Sequence, residues 1–146
     1  MIALLQRVSQ ARVEVESKTI ASIGRGLLVL IGIQPDDGEI QAQRIAERIL
    51  GYRVFEDAAG KMNRSLLDIQ GELLLVPQFT LAADTRQGMR PGFSTAASPE
   101  LAANWFERVV ILCRQQSSKV QSGQFAADMN VALVNQGPVT FWLEAH

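Results

Sequence analysis

The chain is poor in the two side chains that many enzymes use for nucleophilic or metal-dependent chemistry. Its 146 residues include one cysteine, Cys113, and one histidine, His146. A single cysteine excludes a disulfide within the chain, and one cysteine with one histidine cannot supply the clustered ligands of a zinc site. Catalysis by a serine–histidine or cysteine–histidine pair needs a positioned imidazole, whereas His146 is the last residue, where chains usually fray. We therefore expect no metal and no cofactor, and we expect Cys113 to be a small buried hydrophobic residue.

Long apolar segments are also missing. The longest apolar run, residues 27–33, is interrupted by Gly32 and is far shorter than the roughly 20 residues that span a membrane. The first seven residues lack the basic start and the long apolar region of a signal peptide. Together with the lone cysteine, these features favour a cytoplasmic protein with no membrane partner.

The charged residues give no long-range attraction to nucleic acid. The 14 Lys and Arg residues and the 15 Asp and Glu residues leave a formal net charge of −1, which argues against a protein that coats nucleic acid. A local basic patch could still bind one defined end of an RNA. The candidates are Lys61, Arg64, Arg86 and Arg90. The alternative is that each of these is an ordinary solvated surface charge.

The pattern of apolar residues indicates a single domain over residues 1–146, because no repeat, linker or low-complexity segment occurs. Alternating or continuously apolar segments predict strands at residues 11–16, 19–23, 27–33, 73–76, 129–133 and 139–143. The segments 27–33 and 73–76 are apolar throughout, which indicates strands buried on both faces. A turn at Gly137-Pro138 is predicted to separate the last two strands.

Two helices are predicted. The first begins at Asp36, with Glu39 three residues later as in a capping box, and ends near Gly51. The second begins at Ser98-Pro99-Glu100, which provides a cap, a proline at the first position and an acid. Its predicted buried face carries Leu101, Trp105, Val109 and Leu112. Strands and helices do not alternate one for one, so the expected fold is α+β: a mostly antiparallel, barrel-like sheet with two helices packed outside.

No glycine-rich phosphate-binding motif occurs either, and the glycines at 24 and 26 are better explained by a hairpin turn. An enzyme with this sequence therefore lacks a strong nucleophile, a general base and a metal. Its substrate must be intrinsically reactive or must bring its own catalytic group. An aminoacyl ester on a ribose meets both conditions, because the ester is activated and the neighbouring 2′-hydroxyl can reach the carbonyl.

Two segments carry a specific resemblance. The first is Pro77-Gln78-Phe79-Thr80-Leu81, continuing to Gly88-Met89-Arg90-Pro91, and the second is Asn135-Gln136-Gly137-Pro138-Val139-Thr140. Together they resemble the signatures S-Q-F-T and N-x-G-P-V/T-T of the D-aminoacyl-tRNA deacylase family. The similarity extends along almost the whole chain and includes Gln6-Arg7-Val8 and residues 60–66. Pro77 stands where the family often has serine, so no hydroxyl is available there, and Gln136 stands at a variable position.

The resemblance implies the family's barrel-like fold and a homodimer. It implies that Gln78, Phe79 and Thr80 line the catalytic site, near the terminal adenosine and the scissile ester of an aminoacyl-tRNA. It also implies that Gly137-Pro138 is a cis dipeptide that reaches into the partner subunit's site and selects the chirality of the substrate. The implied activity is chiral proofreading: D-aminoacyl-tRNA, and also glycyl-tRNA, would be hydrolysed, and L-aminoacyl-tRNA would be rejected.

The mechanism that we infer from this resemblance is hydrolysis assisted by the substrate. Backbone N–H groups near Phe79 and Thr80 would bind the developing oxyanion, and the ribose 2′-hydroxyl would orient or activate water. Thr80 is the one candidate for a protein nucleophile, but no residue in the sequence would obviously deprotonate it. A positioning role for Thr80 is therefore favoured over a covalent one.

Taken alone, each motif has a plainer explanation. Gln78-Phe79-Thr80 could simply end a strand, and residues 135–138 could form an ordinary turn, because Asn, Gly and Pro all favour turns.

Two other functions stay open for this sequence. One is a non-catalytic module that binds RNA ends or partner proteins, which would also lack catalytic residues. The other is an editing enzyme for a wrong L-amino acid.

Overall fold

The order of elements confirms an α+β fold. The computed structural model describes all residues from Met1 to His146. The strands are β1 (Ile2–Val15), β2 (Lys18–Ile23), β3 (Gly26–Gly32), β4 (Phe55–Glu56), β5 (Met62–Arg64), β6 (Glu72–Pro77), β7 (Val120–Ser122) and β8 (Met129–Glu144). The helices are α1 (Glu39–Gly51), α2 (Leu66–Ile69) and α3 (Pro99–Gln116), and a 3₁₀ turn covers Phe79–Ala82. The two long helices correspond to the two predicted ones, and α2 adds a single turn that the sequence pattern does not indicate.

Strand β1 is the centre of the sheet because it is hydrogen-bonded along both edges. One edge pairs antiparallel with β8, from Ile2↔Glu144 to Val15↔Met129. The other edge pairs antiparallel with β3 at residues 2–8 and with β2 at residues 11–15. The strand predicted at 11–16 is therefore only the second half of β1.

Strands β2 and β3 follow one another along the same edge of β1. Gly24 and Arg25 join them, so the predicted hairpin turn at residues 24–26 is in fact a bend between two consecutive partners of one strand. Glycine is required at position 26, because a Cβ there would overlap the backbone carbonyl of Glu72 in the neighbouring β6. The close approach of β6 to β3 thus depends on this residue.

The remaining strand pairs of the main sheet are parallel. Strand β6 pairs with β3, and β7 pairs with β6. Each parallel pair is connected through a long helix, α1 in the first case and α3 in the second, as parallel neighbours require. The sheet curls into the predicted barrel-like form, and β4 and β5 make a separate two-stranded sheet.

Two apolar cores lie on the two faces of the main sheet. The larger core has 25 buried residues, lies between the sheet and the helices, and includes Leu27 and Val29 of β3. The smaller core lies on the opposite face and includes Leu28 of β3 and Leu74 of β6. Strands β3 and β6 are therefore apolar on both faces, as their unbroken hydrophobic sequences predicted.

The start of α1 differs from the prediction. Asp36 does not cap this helix, which begins at Glu39. Residues 34–37 form a turn in which the Gln34 N–H donates to the Asp37 carboxylate at 2.7 Å. This local hydrogen bond holds the chain in a turn where a first helical turn was expected.

Helix α3 begins as predicted but buries a different face. Ser98 Oγ accepts the Leu101 N–H, and Pro99 is the first helical residue. The fully buried residues are Ala102, Phe106, Val109, Val110 and Cys113, so only Val109 of the predicted face is fully buried. Apolar side chains occupy more than one stripe of this helix, and periodicity alone does not select between adjacent stripes.

Cys113 packs in the larger core, as expected for a structural residue. Burial raises the pKa of its thiol to about 12. A thiol that stays protonated at neutral pH is not a nucleophile. None of the helices combines the length and the hydropathy needed to cross a membrane.

Candidate functional site

The Gln78-Phe79-Thr80 segment lies where β6 ends. The Gln78 N–H donates to the Ile31 carbonyl at 2.8 Å, which continues the pairing of β6 with β3 by one residue. The chain then turns over Gly32, where an added Cβ would lie 3.0 Å from the Leu81 Cβ. A strand end and a glycine in the neighbouring strand therefore fix where the 3₁₀ turn Phe79–Ala82 begins.

A mainly apolar cavity of about 680 Å³ opens beside this turn. Gln78 and Phe79 line it, whereas Thr80 lies one residue beyond the lining. The other lining residues are Val76, Pro77, Phe93, Ala96, Ala97, Ser98, Pro99, Ala102, Phe125, Ala126, Ala127, Asp128, Met129 and Val131. The size and the apolar walls are typical of a small-molecule site.

Two aromatic side chains stand at the mouth of the cavity. Phe79 is 56% exposed, unusually so for a phenylalanine, and its ring centroid lies 5.3 Å from that of Phe93. An exposed aromatic pair beside an apolar cavity offers a surface on which a flat ring can stack.

Thr80 has no partner that could deprotonate it. Its hydroxyl accepts a hydrogen bond from the Gln78 amide, and no carboxylate or imidazole bonds to it. The only ionisable side chain that lines the cavity is Asp128. These contacts orient the Thr80 hydroxyl but do not activate it as a nucleophile.

The turn nevertheless presents two free hydrogen-bond donors. The first two N–H groups of the 3₁₀ turn, those of Phe79 and Thr80, have no acceptor within the turn, whereas the next N–H, that of Leu81, bonds to the Gln78 carbonyl. Adjacent free N–H groups can stabilise a negative oxygen that develops next to them. Sequence reasoning placed an oxyanion site near these two residues, and the geometry is compatible with it.

The sequence pattern predicted a turn between two strands at Gly137-Pro138, and this prediction is wrong. The dipeptide lies within the continuous strand β8 and its peptide bond is cis, as the resemblance implied. Val8 pairs with Asn135 and Gln6 pairs with Thr140, so the four residues 136–139 lie opposite Arg7 alone. The dipeptide is therefore the exposed tip of a large β-bulge, which we call the Gly-Pro bulge, residues 136–139.

Arg7 connects this bulge to the rest of the chain, and sequence reasoning missed its role. Its Nε donates to the Gln136 carbonyl at 3.0 Å, and its NH1 donates to the Val54 carbonyl at 2.8 Å. The available signal was a charged residue between a largely apolar segment, Ile2 to Leu5, and Val8. The cavity residues Phe93 and Phe125 were missed as well, because loop residues give no periodic signal.

One chain does not bring the predicted site residues together. Gln78 and Phe79 line the cavity, but Gly137 and Pro138 do not. Strand β8 reaches the cavity near its start, at Met129 and Val131, and not at the bulge. The two motifs therefore belong to two separate surfaces of the same chain.

The four candidate basic residues also divide between two places. Lys61 and Arg64 are exposed at the small β4–β5 sheet, and Arg86 and Arg90 lie in the loop after the 3₁₀ turn. Arg86 is already engaged, because its guanidinium binds Asp84 at 2.7 Å and lowers the pKa of that carboxyl to about 2. The four candidates thus belong to two different segments of the chain.

His146 is exposed and its only ion-pair partner is Glu144, at 2.8 Å. It lies outside the cavity lining. No group of three or more His, Cys, Asp or Glu side chains is arranged to hold a metal ion. The geometry thus offers binding surfaces and N–H donors, but no acid–base pair.

Comparison with known proteins gives consistent results. Residues 4–144 match the family model described as D-Tyr-tRNA(Tyr) deacylase. The chain is 63% identical over 145 residues to a D-aminoacyl-tRNA deacylase of Alkalilimnicola ehrlichii, covering 99% of this chain and 97% of the relative. It is 57% identical over 144 residues to a D-aminoacyl-tRNA deacylase of Klebsiella pneumoniae, covering 99% of each.

Two solved structures share the fold. The first, of a c-Myc DNA Unwinding Element Binding Protein, has a TM-score of 0.96 and 38% identity, covering 100% of this chain and 99% of the other. The second, of a probable eukaryotic D-amino acid tRNA deacylase, has a TM-score of 0.86 over 99% and 98% of the two chains. At 19% identity, the second shows similarity of fold alone.

We predict that Gly137→Ala destabilises the protein. Gly137 has a φ of +134°, and an added Cβ would lie 2.7 Å from Val139 Cγ2 and 3.2 Å from an Arg7 guanidinium nitrogen. Backbone strain of this kind costs roughly 1–3 kcal/mol, so the melting temperature should fall by several degrees at fixed protein concentration. The measurement is thermal unfolding followed by circular dichroism.

The matched control is Gly51→Ala. Gly51 ends α1, and an added Cβ there has no neighbour within 4 Å, so this variant should be no less stable than the wild type. Equal melting temperatures for Gly137→Ala and the wild type would show that the bulge relaxes without cost.

Proposed function

The chain belongs to the D-Tyr-tRNA(Tyr) deacylase family, and from this membership we propose that it hydrolyses the ester bond of D-aminoacyl-tRNA and rejects L-aminoacyl-tRNA. The products are free tRNA and the D-amino acid. One observation carries the proposal at the level of chemistry. The cavity beside Gln78 and Phe79 has N–H donors at the adjoining turn but no hydrogen-bonded pair of nucleophile and base and no metal site, which suits an activated ester as substrate.

The cavity provides a place for the terminal adenosine of the tRNA. Its walls are mainly apolar, and Phe79 and Phe93 present ring faces at its mouth. A purine can stack on such a surface while its ribose remains near the turn. This arrangement would place the ester carbonyl close to the N–H groups of Phe79 and Thr80.

The reaction then needs little from protein side chains. A water molecule attacks the ester carbonyl carbon, and the N–H groups of Phe79 and Thr80 bind the oxyanion that forms. The bond to the ribose oxygen breaks and that oxygen takes a proton, while the neighbouring 2′-hydroxyl orients the water. Gln78 holds the Thr80 hydroxyl, so Thr80 acts as a positioning residue.

Activity on chirally distinct substrates tests the function directly. The protein is incubated with D-tyrosyl-tRNA, L-tyrosyl-tRNA and glycyl-tRNA, and the remaining aminoacyl ester is measured over time. We expect loss of the D ester and slower loss of the glycyl ester, because glycine has no side chain to exclude. The L ester should persist at the rate of its uncatalysed hydrolysis.

Other outcomes would favour the competing functions. Equal, slow loss of all three esters would indicate a module that binds RNA ends without catalysis. In the same assay with a mischarged L-aminoacyl-tRNA, selective loss of that ester would indicate an editing enzyme for L-amino acids. The name of one similar protein indicates DNA binding for that protein; the net charge of −1 gives this chain no long-range attraction to a DNA duplex.

The role of Thr80 is tested with Thr80→Val, which removes the hydroxyl and nearly keeps the volume. We expect kcat on D-tyrosyl-tRNA to fall by about tenfold or less, because only positioning is lost. Loss of a true nucleophile costs roughly 10⁴-fold or more. A loss of that size, or an acyl group trapped on Thr80, would contradict the positioning role.

We also propose a homodimer in which the Gly-Pro bulge of one subunit completes the cavity of the other. Strand β8 is 16 residues long and pairs only with β1, so its second edge is free. Val134 and Trp142 on this strand are 48% and 50% exposed. A long, partly apolar free edge favours association with another chain, and the bulge on β8 would then enter the interface.

Mixed dimers test this arrangement. Phe79→Ala damages the cavity and Gly137→Ala damages the bulge, so each homodimer should be nearly inactive. If the two motifs act across subunits, subunit exchange between the variants should restore about one quarter of wild-type activity, because about half of the dimers are mixed and each has one intact site. If both motifs acted within one chain, no intact site would form. Exchange of each variant with wild-type chains provides the control.

A further inference from the structure

The Gly-Pro bulge needs a means of keeping its shape, because its tip is not part of the regular sheet. Four residues, 136–139, lie opposite the single residue Arg7. The tip residues Gly137 and Pro138 are exposed. Arg7 holds only the first residue of the bulge, through the Gln136 carbonyl. The contacts that hold its other end must therefore come from elsewhere.

The Asn135 side chain closes the other end. Its Oδ1 accepts the Val139 backbone N–H at 2.8 Å, and its Nδ2 donates to Thr140 Oγ1 at 2.8 Å. Asn135 is the last regular residue before the bulge, and Thr140 is the first one after it. One amide group thus bonds to both the last residue of the bulge and the first residue beyond it. We call this pair of hydrogen bonds the Asn135–Thr140 clamp.

The clamp accounts for two motif positions that the catalytic proposal leaves unused. Neither Asn135 nor Thr140 lines the cavity. Asparagine is one of two uncharged side chains that offer both a carbonyl acceptor and an amide donor, and it is the shorter one. A hydroxyl at position 140 supplies the matching acceptor. The residue types therefore fit the geometry of the neck of the bulge.

We propose that Asn135 and Thr140 are positioning residues that set the direction in which Gly137-Pro138 projects, and thereby determine D over L selectivity. This inference rests on the proposed function. A surface that rejects the L side chain by contact must be stiff, because small movements of the wall would admit the wrong enantiomer. The clamp supplies that stiffness at the base of the bulge without touching the substrate.

The test compares Thr140→Val and Asn135→Leu with conservative variants. Thr140→Val removes the hydrogen bond between Asn135 and Thr140, and Asn135→Leu removes both hydrogen bonds of the clamp, each with little change of shape. Each should lower kcat on D-tyrosyl-tRNA by about tenfold or more, because a displaced positioning element costs rate steeply. Each should also narrow the ratio of D to L hydrolysis. Binding of uncharged tRNA, measured by fluorescence anisotropy, should remain at the wild-type level.

Rescue separates positioning from a general structural effect. Thr140→Ser keeps the hydroxyl, and Asn135→Asp keeps the acceptor for the Val139 N–H and can accept the Thr140 hydroxyl proton. Both should retain near wild-type kcat and selectivity. The control variants are Asn130→Leu on the same strand and Thr19→Val on β2, since both residues are exposed and neither side chain makes a hydrogen bond within the chain. Both controls should behave as the wild type does.

A failure of the clamp proposal can be distinguished from a failure of the proposed function. If wild-type protein shows no D-selective hydrolysis, the proposed function fails before the clamp is tested. If the wild type is selective and Thr140→Val keeps both its kcat and its D over L ratio, Thr140 is not a positioning residue and the proposal fails. Thr140→Val is the deciding variant, because it changes one exposed hydroxyl and leaves the hydrogen bond between Asn135 and Val139 in place. A failure of Asn135→Leu to fold therefore does not affect the test.

Discussion

Backbone hydrogen bonding along both edges of β1 is the constraint on which both functional segments depend. Through β3 and β6, one edge of β1 fixes where the strand before Gln78 ends. Through β8, the other edge fixes where the Gly-Pro bulge leaves the sheet. The first segment follows directly on the paired end of β6, and the second is a local departure from strand geometry within β8 with paired residues before and after it. Sites built on such regular elements keep their geometry well.

The site divides the chemistry between protein and substrate. In the proposed mechanism the protein provides a cavity, stacking surfaces and two N–H donors. The substrate provides an activated ester and a neighbouring hydroxyl. This division explains how a chain with one terminal histidine and one buried cysteine can belong to a family of hydrolases. On this proposal, selectivity depends on which substrates can approach the N–H donors, and it needs no catalytic side chain.

Much of the fold followed from local patterns, and the errors have identifiable causes. The doubly apolar segments predicted β3 and β6, and Ser98-Pro99 predicted the start of α3. The first half of β1 escaped prediction because its apolar residues do not alternate cleanly. The parallel pairings escaped prediction because they depend on helices that return the chain to the sheet, which is a tertiary property.

The candidate site was also predicted only in part, because local motifs can be read from the sequence and tertiary contacts cannot. The Gln78-Phe79-Thr80 segment was found through its motif, whereas Phe93 joins the cavity only because its loop folds back over the turn. Gly137-Pro138 was expected to be a turn, since glycine and proline are common in turns. The dipeptide instead forms a bulge, because the residues before and after it pair with the same strand, β1.

The bulge also determines which of the two apolar cores each half of β8 packs against. Before it, Met129, Val131 and Leu133 pack against the smaller core; after it, Val139 and Phe141 pack against the larger one, and Leu143 is buried in it. From Asn135 to Thr140 the strand advances five residues while β1 advances two, an excess of three. If the bulge were flattened into regular pairing, that odd excess would turn Phe141 and Leu143 to the opposite face of the sheet. The hydrophobic residues that flank the motif therefore make the bulge obligatory, and the chain cannot bury both halves of its last strand without it.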